Sequence, residues 1–336
     1  MKVLITGGGG FIGSHLAEGH LRRGDEVWSL DTGMNLKVRH LLPNSKFHYV
    51  KSSVMDDDAL EAFVIRADLV YHHAAVVGVE HYVDDPFNVL NVNILGTLNA
   101  LRLSHRHGKR MVFASTSEVY GRNPNVPWKE EDDRVLGATT TDRWCYSTSK
   151  AAGEHYCWAF RRMGLDVSVV RYFNVYGPKL DKIDVGRVIT IFMGQILRSE
   201  PITVIGDGKQ TRCFTYIDDA VRGTMAAGTK TEAIGSVFNI GDDREVPVLE
   251  LAQTMLKIVG RDPEKNIKYV KQEDVYGPSY EDIRRRVPDI TRMKKILGVN
   301  PKTTLQDGLA ATMDWFRNEQ VVKPGLTSAA MESKKA

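Results

Sequence analysis

Eleven residues near the start, Thr6-Gly-Gly-Gly-Gly-Phe-Ile-Gly-Ser-His-Leu16, constrain the fold of this chain more than any others. An apolar run, Lys2–Thr6, leads into them and reads as a buried strand. The stretch Phe11–Arg23 behind them reads as a helix. Gly7, Gly10 and Gly13 fall in the spacing GxxGxxG. Glycine permits the tight turn there. It also lets the backbone, with Phe11 and Ile12 opening the helix, approach a pyrophosphate that rests on the helix N-terminus. A glycine triplet alone describes any flexible turn; a strand before it and a helix after it make it a dinucleotide site.

The pattern continues in the same sense. Short apolar strands are predicted at Lys2–Thr6, Glu26–Leu30, Phe47–Lys51, Leu69–His72, Arg110–Ser115 and Asp166–Arg171. Helices fall between them, most clearly at Phe11–Arg23, Pro86–His107 and Ser147–Met163. Such alternation predicts an α/β fold, a doubly wound parallel sheet with helices on both faces. Ligands then collect at the carboxyl ends of the strands. After Pro178 the pattern loosens. Helices are expected at Val188–Arg198, Val248–Val259 and Thr304–Asn318, and a strand at Ile202–Val204. This divides the chain into a dinucleotide-binding part, 1–175, that shares strands and helices with later segments, a mainly substrate-binding lobe, 176–318, and a polar tail, 319–336.

Composition narrows the classes. The 336 residues are 42% hydrophobic and 26% charged, as in ordinary globular proteins, and carry a net charge of +3. That balance gives no case for nucleic acid or an anionic membrane as partner. No apolar run approaches the ~20 residues that span a bilayer. Cys145, Cys157 and Cys213 have no metal-ligand spacing and form no disulfide framework, so reduced thiols and a cytoplasmic location are expected, with no metal.

At the cofactor end, the second strand leads to Asp31, 18 residues beyond Gly13. A carboxylate there accepts from the ribose hydroxyls and repels a 2′-phosphate, which favours NAD; nearby Lys37 and Arg39 weigh slightly the other way. After the fourth strand, Ala74 and Ala75 leave room for the cofactor against the backbone. Neighbouring His72 and His73 point to opposite faces and are expected to be structural. At the reacting end, Tyr146 and Lys150 lie four apart at the start of a predicted helix, on one face. A lysine ammonium and an oxidised nicotinamide beside the phenol would lower its pKa and make it a base for an alcohol proton. The fifth strand runs out into Ser115-Thr-Ser-Glu-Val-Tyr-Gly121. Two hydroxyls and a carboxylate therefore meet at the mouth of the site.

With these residues in place the chain resembles the extended short-chain dehydrogenase/reductases that act on nucleotide sugars. Besides the glycines, Asp31, Tyr146 and Lys150, the resemblance rests on His73-Ala74-Ala75, Asn93, Arg171–Pro178, Cys213–Val221 and Arg285–Ile290, and it covers about residues 1–318. It implies a Rossmann-type sheet with a C-terminal nucleotide-sugar lobe. It also implies Asn93, Tyr146 and Lys150 among the NAD-binding residues, and a homodimer built on helices at about 86–107 and 147–163. Ser52-Ser53-Val54 departs from relatives that carry an Asp toward the adenine.

Family members begin by oxidising the sugar C4 hydroxyl. Their later steps depend on the stretch after the fifth strand. Epimerases usually lack the glutamate, and dTDP-glucose-type dehydratases carry Thr-Asp-Glu where this chain has Thr116-Ser117-Glu118. Ser-Glu resembles UDP-glucuronate decarboxylases, which make UDP-xylose or its 4-keto form. Arg143-Trp144-x-Tyr146, Gly177–Asp181, Arg187, Gly208–Val221 and Tyr280–Ile290 extend that likeness. The resemblance then implies that Thr116 and Ser117 bond the C4 oxygen. Glu118 would position the carboxylate or ring and order a water, and Arg286 would serve as acid or electrostatic stabiliser. Lys209 and Arg212 would face the nucleotide or diphosphate, and Asn174 the diphosphate or sugar. Arg187 and Asp282 would complete the substrate contacts, while Arg284 is expected to be solvated. The alternatives are a 4-epimerase of UDP-glucuronate or another UDP-sugar, a 4,6-dehydratase, and an NAD-sensing protein without turnover.

Overall fold

The computed structural model describes residues 1–33, 36–180, 183–184, 186–271 and 283–322. Strands β1 (Lys2–Thr6), β2 (Glu26–Asp31), β3 (Phe47–Lys51), β4 (Leu69–His72), β5 (Arg110–Thr116) and β6 (Val167–Tyr172) alternate with helices. These are α1 (Phe11–Arg22), α2 (Asp57–Val64), α3 (Val79–Asp84), α4 (Pro86–Arg106) and α5 (Arg143–Arg162). Beyond them come β7 (Val175–Tyr176), α6 (Val188–Leu197), β8 (Ile202–Ile205), β9 (Thr211–Cys213), β10 (Thr215–Tyr216), α7 (Ile217–Thr229) and β11 (Val237–Ile240). Last are β12 (Glu245–Pro247), α8 (Val248–Ile258), α9 (Pro263–Asn266), β13 (Ile267–Val270), β14 (Arg285–Arg286) and α10 (Leu305–Val322).

The central sheet is parallel and seven-stranded, in the order β11-β6-β5-β4-β1-β2-β3. Its middle strands are buried on both faces, and Val3, Leu4, Ile5, Met111, Val112 and Phe113 are inaccessible to solvent. That is why they read as unbroken apolar runs and not as alternation. Each such side chain contributes about 1.5–3 kcal/mol of hydrophobic stabilisation. Local signals set the helix starts. Asp56 accepts from the Ala59 amide at 3.1 Å, and Asp85, followed by Pro86, accepts from Asn88 at 3.0 Å.

The six predicted strands are present to within a residue. The seventh, β11, comes from beyond residue 176 and completes the sheet beside β6. Helix α5 begins at Arg143, earlier than the expected Ser147. The hydroxyls of its first turns bond carbonyls: Ser147 donates to the Glu118 carbonyl at 2.7 Å, and Ser149 to the Tyr146 carbonyl at 2.8 Å. Residues of the second half form small sheets over the carboxyl edge, including β12-β9-β14. No helix among the described residues is long and apolar enough to cross a membrane.

Candidate active site

Every central strand that matters ends at one edge. Gly7 follows β1, Asp31 ends β2, Ala74 and Ala75 follow β4, Thr116 ends β5 and Asn174 follows β6. All of these line one cleft of about 3580 Å³. A single small-ligand pocket is ~300–1,000 Å³, so this cleft has room for two large ligands end to end.

The dinucleotide cradle is built by contact distances. Gly7 has φ +71° and sits against the backbone of Ala74, where a Cβ would come within 2.7 Å of the amide nitrogen. A Cβ on Gly13 would lie 2.3 Å from the Gly7 carbonyl oxygen, so helix α1 meets the turn only with glycine there. Gly10 caps α1 without a side chain to occupy the first-turn amides, and Phe11 and Ile12 line the cleft. Asp31 accepts from the amides of Gly9 and Gly33, each at 2.9 Å, which fixes its carboxylate beside the turn. These residues fit NAD.

Asn93 acts differently from the expectation. It is buried away from the cleft wall; its Oδ1 accepts from the Val76 amide at 2.8 Å, and its Nδ2 donates to Ser149 at 3.1 Å. It therefore pins the loop after β4 against α5, shaping the cofactor wall through Ala74–Val76. His72 is wholly buried between Thr6 and Thr97, 2.8 and 3.1 Å from their hydroxyls. His73 borders the cleft and is bonded through Nε2 to the Tyr172 hydroxyl at 2.8 Å.

Tyr146 and Lys150 project into the cleft from one face of α5. The expected lowering of the Tyr146 pKa does not come from the protein. Burial pushes the phenol above its ordinary value and Glu118 adds to the rise, while Arg187 and a hydrogen bond with Thr116 oppose it. The Lys150 ammonium instead donates to the Ala114 carbonyl at 2.8 Å, and burial pulls its own pKa down to about 8. Sequence spacing places the pair correctly but says nothing of desolvation, which dominates here.

Glu118 lies in the turn after β5, with Arg286 hydrogen-bonded to one carboxylate oxygen and Arg143 at 3.9 Å from the other. Burial pushes its pKa up, but the charges of Arg286, Arg143 and Arg212 outweigh it and hold the carboxyl below the usual range. Glu118 is thus an ionised, weakly basic carboxylate amid excess positive charge. Arg286 stands opposite Arg212 across β14 and β9, and Arg212 is tied to the carbonyls of Thr211 and Ile283, each at 2.8 Å. This sets Arg212 close to Glu118, not only at a nucleotide end. Arg285 turns away to a bidentate pair with Glu245, at 2.7 Å for each bond, and Arg284 is exposed.

Asn174 takes φ +36°, a left-handed conformation that Asn tolerates, and donates to the Cys213 carbonyl at 3.3 Å. Arg187 donates to the Val175 carbonyl at 3.0 Å, and Lys209 is an exposed residue of the cleft lining. Asp282 lies outside the described residues. Among the cleft residues that the sequence reading gives no role, two touch the reacting groups. Arg143 was traceable, three residues before Tyr146 and so on the same helical face. Tyr82 stacks on Tyr146 with ring centroids 4.9 Å apart and planes at 12°, a contact that no spacing announces.

The family model described as the NAD dependent epimerase/dehydratase family matches residues 3–241. A UDP-N-acetyl-alpha-D-glucosaminuronate decarboxylase of Bacillus cytotoxicus is 38% identical over 317 residues, covering 94% of this chain and 98% of its own. UDP-glucuronic acid decarboxylase 1 of Arabidopsis thaliana is 35% identical over 95% of this chain and 70% of its own. Among solved structures, the UDP-glucuronic acid 4-epimerase of Bacillus cereus, in complex with UDP-glucuronic acid and NAD, superposes with a TM-score of 0.84. It is 30% identical, over 95% of this chain and 100% of that one.

Proposed function

The chain belongs to the NAD dependent epimerase/dehydratase family, and we propose that it decarboxylates a UDP-hexuronate, UDP-glucuronate first, through a 4-keto sugar. The observation that carries this is the Glu118–Arg286 pair, with Arg143 and Arg212 beside it, at the end of the cleft that holds Tyr146. Bound NAD+ would supply the hydride acceptor and a positive charge that favours the phenolate. Gly7, Gly10, Phe11, Ile12, Gly13 and Asp31 would hold it.

Tyr146 takes the C4 hydroxyl proton, and Thr116, already bonded to the phenol, holds the same oxygen together with Ser117. The resulting 4-keto uronate is a β-keto acid. Its C5–C6 bond breaks, CO2 leaves, and the electron pair passes into the C4 carbonyl as an enolate. Arg286, fixed by Glu118, stabilises that developing charge, and C5 is then protonated from Arg286 or a water ordered by Glu118. A carboxylate already paired to a guanidinium is a poor base for C5, which disfavours a 4,6-dehydratase. An epimerase needs no such pair. The product is UDP-4-keto-xylose, or UDP-xylose if the hydride returns to C4.

The lobe from 176 to 318 is assigned to the nucleotide sugar, through Asn174 at its edge, Arg187, Lys209 and Arg212. A homodimer through α4 and α5 is the proposed assembly, with Phe87, 77% exposed, and Leu95 on α4 as candidates for the interface. Light scattering after size exclusion tests it.

The function is tested by incubating the purified protein with UDP-glucuronate and NAD+ and weighing the nucleotide sugars by mass spectrometry. Loss of CO2 supports the reading, and the pentose mass tells keto from reduced product. Unchanged mass with altered retention would mean epimerisation, the activity named for the Bacillus cereus structure. The 38% identical relative favours one second reading, UDP-N-acetylglucosaminuronate as substrate, and the same assay with that sugar decides between them.

A further inference from the structure

Glu118 and Arg286 come from distant parts of the chain, 168 residues apart. Something must hold the two backbones in register. On β11, Asn239 pairs with Arg171 of β6 and is completely buried. Its Oδ1 accepts from the Tyr120 hydroxyl at 2.7 Å. Its Nδ2 donates to the Trp128 carbonyl at 2.9 Å and to the Asp289 carbonyl at 3.1 Å. Tyr120 lies two residues after Glu118, and Asp289 three residues after Arg286. One amide group therefore grips both arms of the pair.

The rest of the surroundings stiffens that grip. The backbone of Trp128 bonds Val287 at 2.8 Å and Asp289 at 2.7 Å. Arg171 donates to the Tyr120 hydroxyl at 2.8 Å and forks onto Glu154 at 2.9 and 2.6 Å; Glu154 also takes the Ser115 hydroxyl at 2.5 Å. So the turn that carries Glu118 is fastened at Ser115 and at Tyr120, and the second fastening is shared with the arm that carries Arg286. Every polar side chain in this chain of bonds is buried, where a bond lost is costly and a bond kept is rigid.

We propose that Asn239 is a positioning residue for the second chemical step: it sets the Glu118–Arg286 geometry that CO2 loss uses, and leaves the Tyr146–Lys150 oxidation geometry to α5. The step assignment rests on the decarboxylase reading; the positioning claim does not. Asn239→Asp keeps an acceptor for Tyr120 but turns a carboxylate onto two carbonyls. Tyr120→Phe is the gentler companion, removing only the hydroxyl that Asn239 and Arg171 hold. Leu60→Ala, wholly buried on α2 in a core cluster separate from that of Tyr120 and Trp128, serves as the control for simple destabilisation.

Two measurements on the full chain decide it. Crystal structures of Asn239→Asp and Tyr120→Phe should show Arg286 displaced from Glu118, and an unmoved pair overturns the proposal whatever reaction the wild type runs. With UDP-glucuronate, CO2 release should fall about 10²-fold, as a ~1 Å misplacement can cost, while nicotinamide reduction stays within about threefold. A parallel fall in both steps, as expected for Leu60→Ala, also overturns it. A wild type that releases no CO2 refutes the decarboxylase reading instead, and the displacement of Arg286 still decides the positioning claim.

Discussion

Replacing Arg286 with glutamine removes the cation on Glu118 while keeping a planar side chain that can still donate. At 4 Å, unit charges interact by ~4 kcal/mol at an effective dielectric of about 20. Arg143, at 3.9 Å from the other oxygen, keeps part of that field in the variant. Glu118 therefore stays ionised near neutral pH, but its pKa rises. Loss of one preorganised donor at a developing oxyanion costs ~10²–10³ in kcat, or ~2.7–4 kcal/mol, and that is the expected fall in CO2 release. Breaking a fully buried pair would cost ~3–5 kcal/mol of stability. The Glu118 side chain is 21% exposed and retains Arg143, so about 1.5–3 kcal/mol is the better scale, as for a lost hydrogen bond to a charged group. The assay follows nicotinamide reduction by stopped flow and CO2 by isotope trapping in the same samples. Reduction should persist, because Tyr146, Lys150 and Thr116 are untouched. The pH dependence has a sign. A carboxyl with a depressed folded pKa contributes stability above its ordinary pKa and loses it as pH falls through the folded value. Raising that value in Arg286→Gln moves the acid edge of stability, read from denaturant midpoints, to higher pH. CO2 release within a few-fold of wild type, or an unmoved acid edge, would refute the role given to Arg286.

Three further outcomes are expected. Tyr146→Phe should bind NAD+ with near wild-type affinity by fluorescence titration yet lose both reduction and CO2 release, by at least the ~10²–10⁴ of a general base. Burial lowers the Lys150 pKa from 10.5 to about 8, so between those values the unfolded chain binds more protons and stability rises with pH. The shift corresponds to about 3 kcal/mol, and Lys150→Met should flatten that rise in denaturant midpoints measured from pH 8 to 10. Gly13→Ala places a Cβ 2.3 Å from the Gly7 carbonyl oxygen and should displace the turn, weakening NAD+ binding in calorimetry far more than nucleotide-sugar binding.

Local features were legible. The glycine spacing, Asp31 at the end of β2 and the Tyr146–Lys150 face need only a strand, a turn and a helix, and the backbone supplies these within a few residues. The features that the sequence did not reveal depend on distant partners. Asn93 looks like a cofactor contact because it sits where such residues sit, but its amide is consumed by Val76 and Ser149. The phenol of Tyr146 looks tuned by its lysine, but in the protein alone burial and Glu118 push its pKa up, and Lys150 donates its ammonium to the Ala114 carbonyl. Strand β11 was missed because Val237–Ile240 is short and lies in the looser second half, so only its pairing with β6 identifies it.

Glu118 shows where the two kinds of reading meet. In the sequence, Thr116-Ser117-Glu118 argues against a dehydratase by a residue that is missing, the Asp between hydroxyl and glutamate. In the structure the same conclusion comes from the residues that are present. A dehydratase needs its glutamate free and basic enough to take the C5 proton. Here Arg286 is bonded to that carboxylate, Arg143 and Arg212 add to its field, and the net effect outweighs burial and lowers its pKa. Such a group holds a cation in place better than it accepts a proton. A β-keto acid about to lose CO2 needs that cation, because the electrons leave C6 toward the C4 oxygen, and it needs no base at C5. The carboxylate at the end of β5 is therefore best understood through the arginine it fixes, and the arginine through the enolate that we propose it stabilises.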